Sequence, residues 1–130
     1  MFEEKRKSKR FKGKEGAFAA FIRPKALMNM GQIQDISIGG LCIQYVYTDE
    51  DNKGCSEIKI FGGNDRFIHL DRVECRIVYD HEVPKGPWEQ ISTRRCGVEL
   101  ENLSVEQLSM LQDFIDHFAF DETQSGNPKG

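Results

Sequence analysis

Residues 32–46 read QIQDISIGGLCIQYV, and this stretch decides the class of fold. Ile36 and Ile38 alternate with Asp35 and Ser37, so in a strand the two polar side chains stand side by side on the face opposite the isoleucines. After Gly39 and Gly40 the apolar residues move to odd positions, Leu41, Ile43 and Tyr45. A phase change at a glycine pair predicts a bulge or tight turn, where backbone with φ > 0 is accessible. The arrangement admits two readings. A ligand could approach the main chain closely beside Asp35 and Ser37, or these residues could make the local turn bonds of an ordinary hairpin.

The surrounding sequence has the same period. RVECRIVY at 72–79 places Val73, Cys75, Ile77 and Tyr79 on one face and Arg72, Glu74 and Arg76 on the other. EIKIF at 57–61 and RFIHL at 66–70 flank GGND, a hairpin turn signal, and RCGVEL at 95–100 alternates through Cys96, Val98 and Leu100. VPKGPWEQ at 83–90 is a loop by its prolines and glycine. Short strands with hairpin punctuation predict a small antiparallel barrel or sandwich. Past residue 103 the period becomes helical. Ser104 with Gln107 fits a capping box, Leu103 and Leu108 a hydrophobic staple, and Leu108, Leu111, Phe114, Ile115 and Phe118 share one side. A helix over about 104–118 should pack on the barrel, with Glu106, Asp113 and Asp116 on its solvated face, and 121–130 reads as a disordered tail.

Composition narrows the class. A chain of 130 residues, 38% hydrophobic with nine Phe, fits one soluble folded domain. No apolar run approaches the roughly 18 residues of a membrane span, and the N-terminus lacks the features of a signal peptide, so a cytoplasmic location without membrane insertion is expected. Cys42, Cys55, Cys75 and Cys96 include no C-x-x-C pair, and His69, His81 and His117 show no ligand spacing, so no metal is expected. No nucleophile is matched with a base, and no P-loop or H-E-x-x-H occurs, which argues against an enzyme.

Charge is distributed unevenly. EKRKSKRF at 4–11 places Arg6 and Arg10 four apart among Lys5, Lys7 and Lys9. Residues 1–14 hold seven basic and two acidic residues, +5, whereas the remainder holds eleven against nineteen, −8. A short basic arm on an acidic body points to an anionic partner met by the arm. With little apolar content beyond Phe2 and Phe11, an arm over 1–14 should be mobile when free, ahead of a barrel and helix over 15–120.

Arg6-x-x-x-Arg10 followed by Asp35-x-Ser37-x-x-Gly40 resembles the paired signature of PilZ domains, bacterial receptors for the second messenger cyclic di-GMP. CGVELENLS at 96–104 resembles the strand-to-helix junction near the end of that family. The resemblance spans about residues 3–118 with no departure at the five motif positions. It implies a mainly β fold, a six-stranded antiparallel PilZ-type barrel with a C-terminal helix, and cyclic di-GMP as ligand without a further cofactor. It also implies that Arg6 and Arg10 grip phosphate and guanine, that Asp35 and Ser37 bond a guanine edge, and that Gly40 keeps the backbone kink open.

The chemistry suits those roles. An arginine fork pairs with a phosphate or with the O6 and N7 edge of guanine, and a carboxylate accepts from guanine N1 and N2 donors. Lys5 and Lys9 add attraction that salt screens, and Gly39 belongs to the same kink. Arm ordering on binding would alter a surface read by a downstream protein, in the processes of motility, biofilm or exopolysaccharide that the resemblance implies. Two alternatives remain at this level. One is a PilZ-like protein adaptor without nucleotide binding. The other is a basic-arm barrel for nucleic acid polymers, against which the −8 body counts.

Overall fold

The computed structural model of the chain describes residues 9–23, 26–48, 52–63 and 66–121. Its strands are β1 (Phe11–Gly13), β2 (Ala17–Arg23), β3 (Ala26–Ser37), β4 (Gly40–Val46), β5 (Glu57–Gly63), β6 (Phe67–Glu82) and β7 (Thr93–Leu100). Helix α1 (Val105–Phe118) follows and runs directly into β8 (Ala119–Phe120). The sheet is antiparallel in the order β2-β5-β6-β7-β4-β3, and pairing of β3 with β2 closes it into a six-stranded barrel. The expected barrel and helix are therefore present, with two further strands that the sequence did not announce. β1 pairs with the far end of β3, and β8 pairs with β1.

The barrel is filled by the alternating residues that the period-2 pattern marks. Ile33, Ile36, Leu41, Ile43, Ile58, Ile60, Val73 and Cys96 are all buried. At about 1.5–3 kcal/mol for each large aliphatic side chain removed from water, this interior carries most of the folding drive. Alternation persists only between bulges. In β6 the buried set passes from Ile68 and Leu70 to Val73 and Cys75, with the pairing register shifting there, and it shifts again between Ile77 and Tyr79. Tyr79, expected beside Ile77 on the buried face, is consequently turned outward and is 41% exposed.

Helix α1 begins as expected. Ser104 Oγ accepts from the Gln107 amide at 3.0 Å while Gln107 Oε1 accepts from the Ser104 amide at 3.0 Å, the reciprocal capping box. Leu111, Phe114, Ile115 and Phe118 are buried in the common core, whereas Leu108 lies partly in solvent.

Two expectations about backbone change. The segment read as an arm over 1–14 enters the sheet at Phe11, because Lys12 pairs with both Asp35 and Phe120, and the Lys14 amide donates to the Phe118 carbonyl at 2.8 Å. Residues 1–8 of that arm, with Lys5 and Arg6, lie outside the described residues, as do Asn64 and Asp65 of the GGND turn and 122–130 of the tail. The second change concerns Gly39 and Gly40. Among the described residues the glycines with positive φ are Gly16 and Gly54, so the β3–β4 turn does not use left-handed backbone. Gly40 answers a different need. A Cβ there would stand 2.4 Å from the Val98 carbonyl oxygen, where β4 runs close to β7.

Candidate functional site

β3 positions the signature residues through a register shift. Its pairing with β4 slips between Ile33 and Asp35, so Ile33 and Ile36 both face the core and Asp35 is carried to the outer surface opposite Cys42. The strand ends at Ser37, paired with Gly40, and the turn between them is stapled to β7 by the Leu100 amide on the Gly39 carbonyl at 2.9 Å. β1, running alongside Asp35 and Ile36, delivers the preceding Arg10 to the same place.

Five of the named site residues, Arg10, Asp35, Ser37, Gly39 and Gly40, therefore meet. Arg10 Nη1 donates to the Gly40 carbonyl at 3.2 Å and lies 3.0 Å from Asp35 Oδ1. The second contact is an ion pair by distance alone: Asp35 Oδ1 is shielded from solvent yet accepts no aligned hydrogen bond from the described residues. Ser37 is 4% exposed, and its hydroxyl accepts from the Gly39 amide at 3.1 Å and reaches the Gly40 carbonyl at 3.4 Å. Ser37 thus makes the local turn bonds of the plain hairpin reading, while Asp35 keeps acceptor capacity beside it. Lys9 is drawn elsewhere, to Asp121 beyond β8 at 2.5 Å and over the Phe11 ring at 5.7 Å.

The floor next to these residues was not legible as a site. Pairing places Asp35 opposite Cys42, Cys42 opposite Gly97 and Gly97 opposite Tyr79, one outward row across four strands. The Tyr79 ring lies flat over Gly97, where a Cβ would come within 2.4 Å of it, and its hydroxyl donates to Cys42 Sγ at 3.2 Å. That hydrogen bond, with burial second, pushes the Tyr79 phenol up to about 12. Burial raises the Cys42 thiol, and it pushes Cys75 and Cys96 up to about 12, so these cysteines are protonated packing groups at neutral pH. His81 stacks on Tyr79 with centroids 5.0 Å apart and 18° between the planes. The signal available in the sequence was Gly97 opposite an aromatic strand, but the shift after Ile77 hides it from simple alternation.

The sequence matches the family model for the PilZ domain over residues 4–117. The chain belongs to the PilZ family. The fold of this PilZ domain is also that of a solved structure, the PilZ domain with c-di-GMP of YcgR from Escherichia coli. That match has a TM-score of 0.63 and 17% sequence identity, covering 92% of this chain and 93% of that one. No curated protein sequence matches significantly. Among the described residues of this PilZ domain, no group of three or more His, Cys, Asp or Glu side chains is placed to hold a metal, and no helix is long and apolar enough to cross a membrane.

Proposed function

We propose that this PilZ domain is a receptor for cyclic di-GMP. The observation that carries the reading is the meeting of Arg10 and Asp35 at Gly40, on an outward face whose floor is an exposed aromatic ring. The guanidinium and the unbonded carboxylate oxygen are the two groups that a guanine-bearing phosphodiester needs, an anion receptor and an acceptor for base N–H donors. Family membership and the c-di-GMP that accompanies the YcgR domain in its solved structure support the same ligand. Arg6 joins Arg10 on the nucleotide in this reading, Ser37 and Gly39 shape the turn, and Lys5 and Lys9 contribute charge.

Binding acts by exchange of partners. Without ligand, Arg10 and Asp35 face each other; a nucleotide takes both, its phosphate or guanine edge on Arg10 and its N–H donors on Asp35. The arm ahead of Phe11 then orders over the barrel face and presents a new surface to a downstream protein, with motility, biofilm or exopolysaccharide as the regulated processes. The tie from Lys9 to Asp121 gives the arm a mechanical connection to the end of α1 and β8.

Calorimetric titration with cyclic di-GMP, against GTP and 5′-GMP, tests the ligand. Saturable micromolar or tighter binding of the cyclic dinucleotide alone is expected; no binding by calorimetry and by a second probe overturns the reading and favours a protein adaptor. Amide exchange at residues 3–10 tests the switch, which fails if protection is the same with and without nucleotide.

A further inference from the structure

The outward face does not end at Asp35, Cys42 and Tyr79. One step along the strands lies a second row: Gln44 on β4, opposite Arg95 on β7, opposite His81 on β6. Arg95 is exposed and donates from Nε to Gln44 Oε1 at 2.9 Å, a neutral partner that leaves the guanidinium charge uncompensated by that bond. His81 continues the aromatic surface begun by Tyr79. Beyond this row the β6–β7 connection forms a wall. Gln44, Val83, Glu89, Gln90 and Thr93 help to line a cleft of about 380 Å³ against it.

Resting on the cyclic di-GMP reading, we infer that this second row is a nucleotide subsite. Arg95, delivered by the barrel itself, binds the half of the dinucleotide that Arg10 and Asp35 do not reach. The ligand is two-fold symmetric, with a guanine on each side of a ring holding two phosphates, so a face that reads one half leaves an equivalent half to be placed. From Asp35, two strands across and two residues along reach Arg95, about 12 Å between Cα positions at ordinary sheet spacings. A cyclic dinucleotide spans that separation. One part of the chemistry repeats: Arg95 presents at this end the exposed guanidinium that Arg10 presents at the other. A guanidinium at each end can take a phosphate or the O6 and N7 edge of a guanine in each half. His81 supplies a ring on which the second base can stack.

The test is titration of the full chain and of Arg95→Ala and Arg95→Lys with cyclic di-GMP, with thermal unfolding as the check on folding. Since Arg95 is exposed and, among the described residues, bonded to a neutral side chain, the variants should unfold within a few degrees of the parent. Arg95→Ala should raise Kd about ten- to a hundredfold, the loss of one charge-assisted contact. Arg95→Lys should recover only part of it, because the fork is lost with the charge kept. In the unsubstituted protein, nuclear Overhauser contacts from guanine H8 to the His81 ring are expected. Tight binding by the parent, with Arg95→Ala within twofold and no nucleotide contact to His81, overturns this subsite and leaves the receptor reading intact. No binding by the parent overturns both.

Discussion

Two aspartate–arginine pairs stand on opposite surfaces of one barrel wall. Arg10 and Asp35 meet at 3.0 Å on the outer face, their side chains 55% and 32% exposed. Arg94 and Asp80 meet at 3.1 Å, at 24% and 16% exposure. The second pair is saturated. Tyr45 Oη donates to both Asp80 carboxylate oxygens at 2.8 and 2.9 Å, Asn52 Nδ2 donates to Oδ2 at 3.0 Å, and Arg94 Nη2 donates to the Asp80 carbonyl at 2.7 Å. Asn29 in turn donates to Asn52 at 2.7 Å, tying the 52–56 connection to β3. Among the described residues, Asp35 has one cation and an oxygen that no hydrogen bond reaches. The same two residue types thus make a structural tie where both carboxylate oxygens are hydrogen-bonded, and a candidate binding site where acceptor capacity is left over.

Substitutions should separate the two roles. Asp80→Ala leaves the Arg94 charge and the Tyr45 and Asn52 donors without their common acceptor, and should cost about 3 kcal/mol of unfolding free energy in urea denaturation. Nucleotide affinity should change little in whatever fraction remains folded. Gly40→Ala comes next, at about 1–3 kcal/mol, because its methyl group meets the Val98 carbonyl, a backbone atom that moves only with its strand. Asp35→Ala should alter stability by less than about 1 kcal/mol, as expected for a partly exposed pair held by distance alone. It should nevertheless weaken cyclic di-GMP binding about ten- to a hundredfold in calorimetry. A stability loss at Asp35 rivalling that at Asp80 would erase the contrast.

Much of the fold and of the paired motif was legible beforehand, though the contrast between the two pairs was not, and the missing parts share one cause. A small antiparallel barrel or sandwich, the capping box at Ser104 and the core stripe of α1 follow from period and local chemistry, which act over a few residues; the choice of a six-stranded barrel came from the resemblance to PilZ domains. β1 and β8 were invisible because two or three residues carry no period, and their pairing depends on the helix returning the chain beside Phe11. The convergence of Arg10, Asp35 and Gly40 could be anticipated from the paired motif, but their bonding could not. Ser37 was read as a ligand group beside Asp35, and the particular bond its hydroxyl makes to the Gly39 amide within the turn was not foreseen. Arg94 and Arg95 are adjacent in a strand and so face opposite ways, one into the Asp80 network and one onto the outer row. That separation was available in the sequence. What each arginine met there was not, since the shifts in β6 decide which residue stands opposite.

The smallest expected effect compares the two tyrosines that accompany the two pairs. Tyr45 is pushed up by burial and by its hydrogen bond to Asp80, and Tyr79 to about 12 by its hydrogen bond to Cys42 and then by burial. Each folded-state value lies above the roughly 10 of an unfolded tyrosine. Their contribution is therefore fully present below pH 10 and is lost as pH rises, for Tyr79 through about 12. Cys75 and Cys96, also at about 12, lose theirs from a lower starting point, near 9. Stability measured by urea denaturation should accordingly decline from about pH 9 upward in the parent. Tyr79→Phe should cost under about 1 kcal/mol at neutral pH, where only a hydroxyl-to-thiol bond is removed, and should flatten the decline only between pH 10 and 12. Tyr45→Phe should cost more at neutral pH, because Asp80 loses a donor that serves both of its oxygens. Equal losses from the two substitutions would mean that the Tyr79 ring is held as firmly as the Asp80 network. A ring held in that way would be part of the barrel's framework, not a surface free to receive a base.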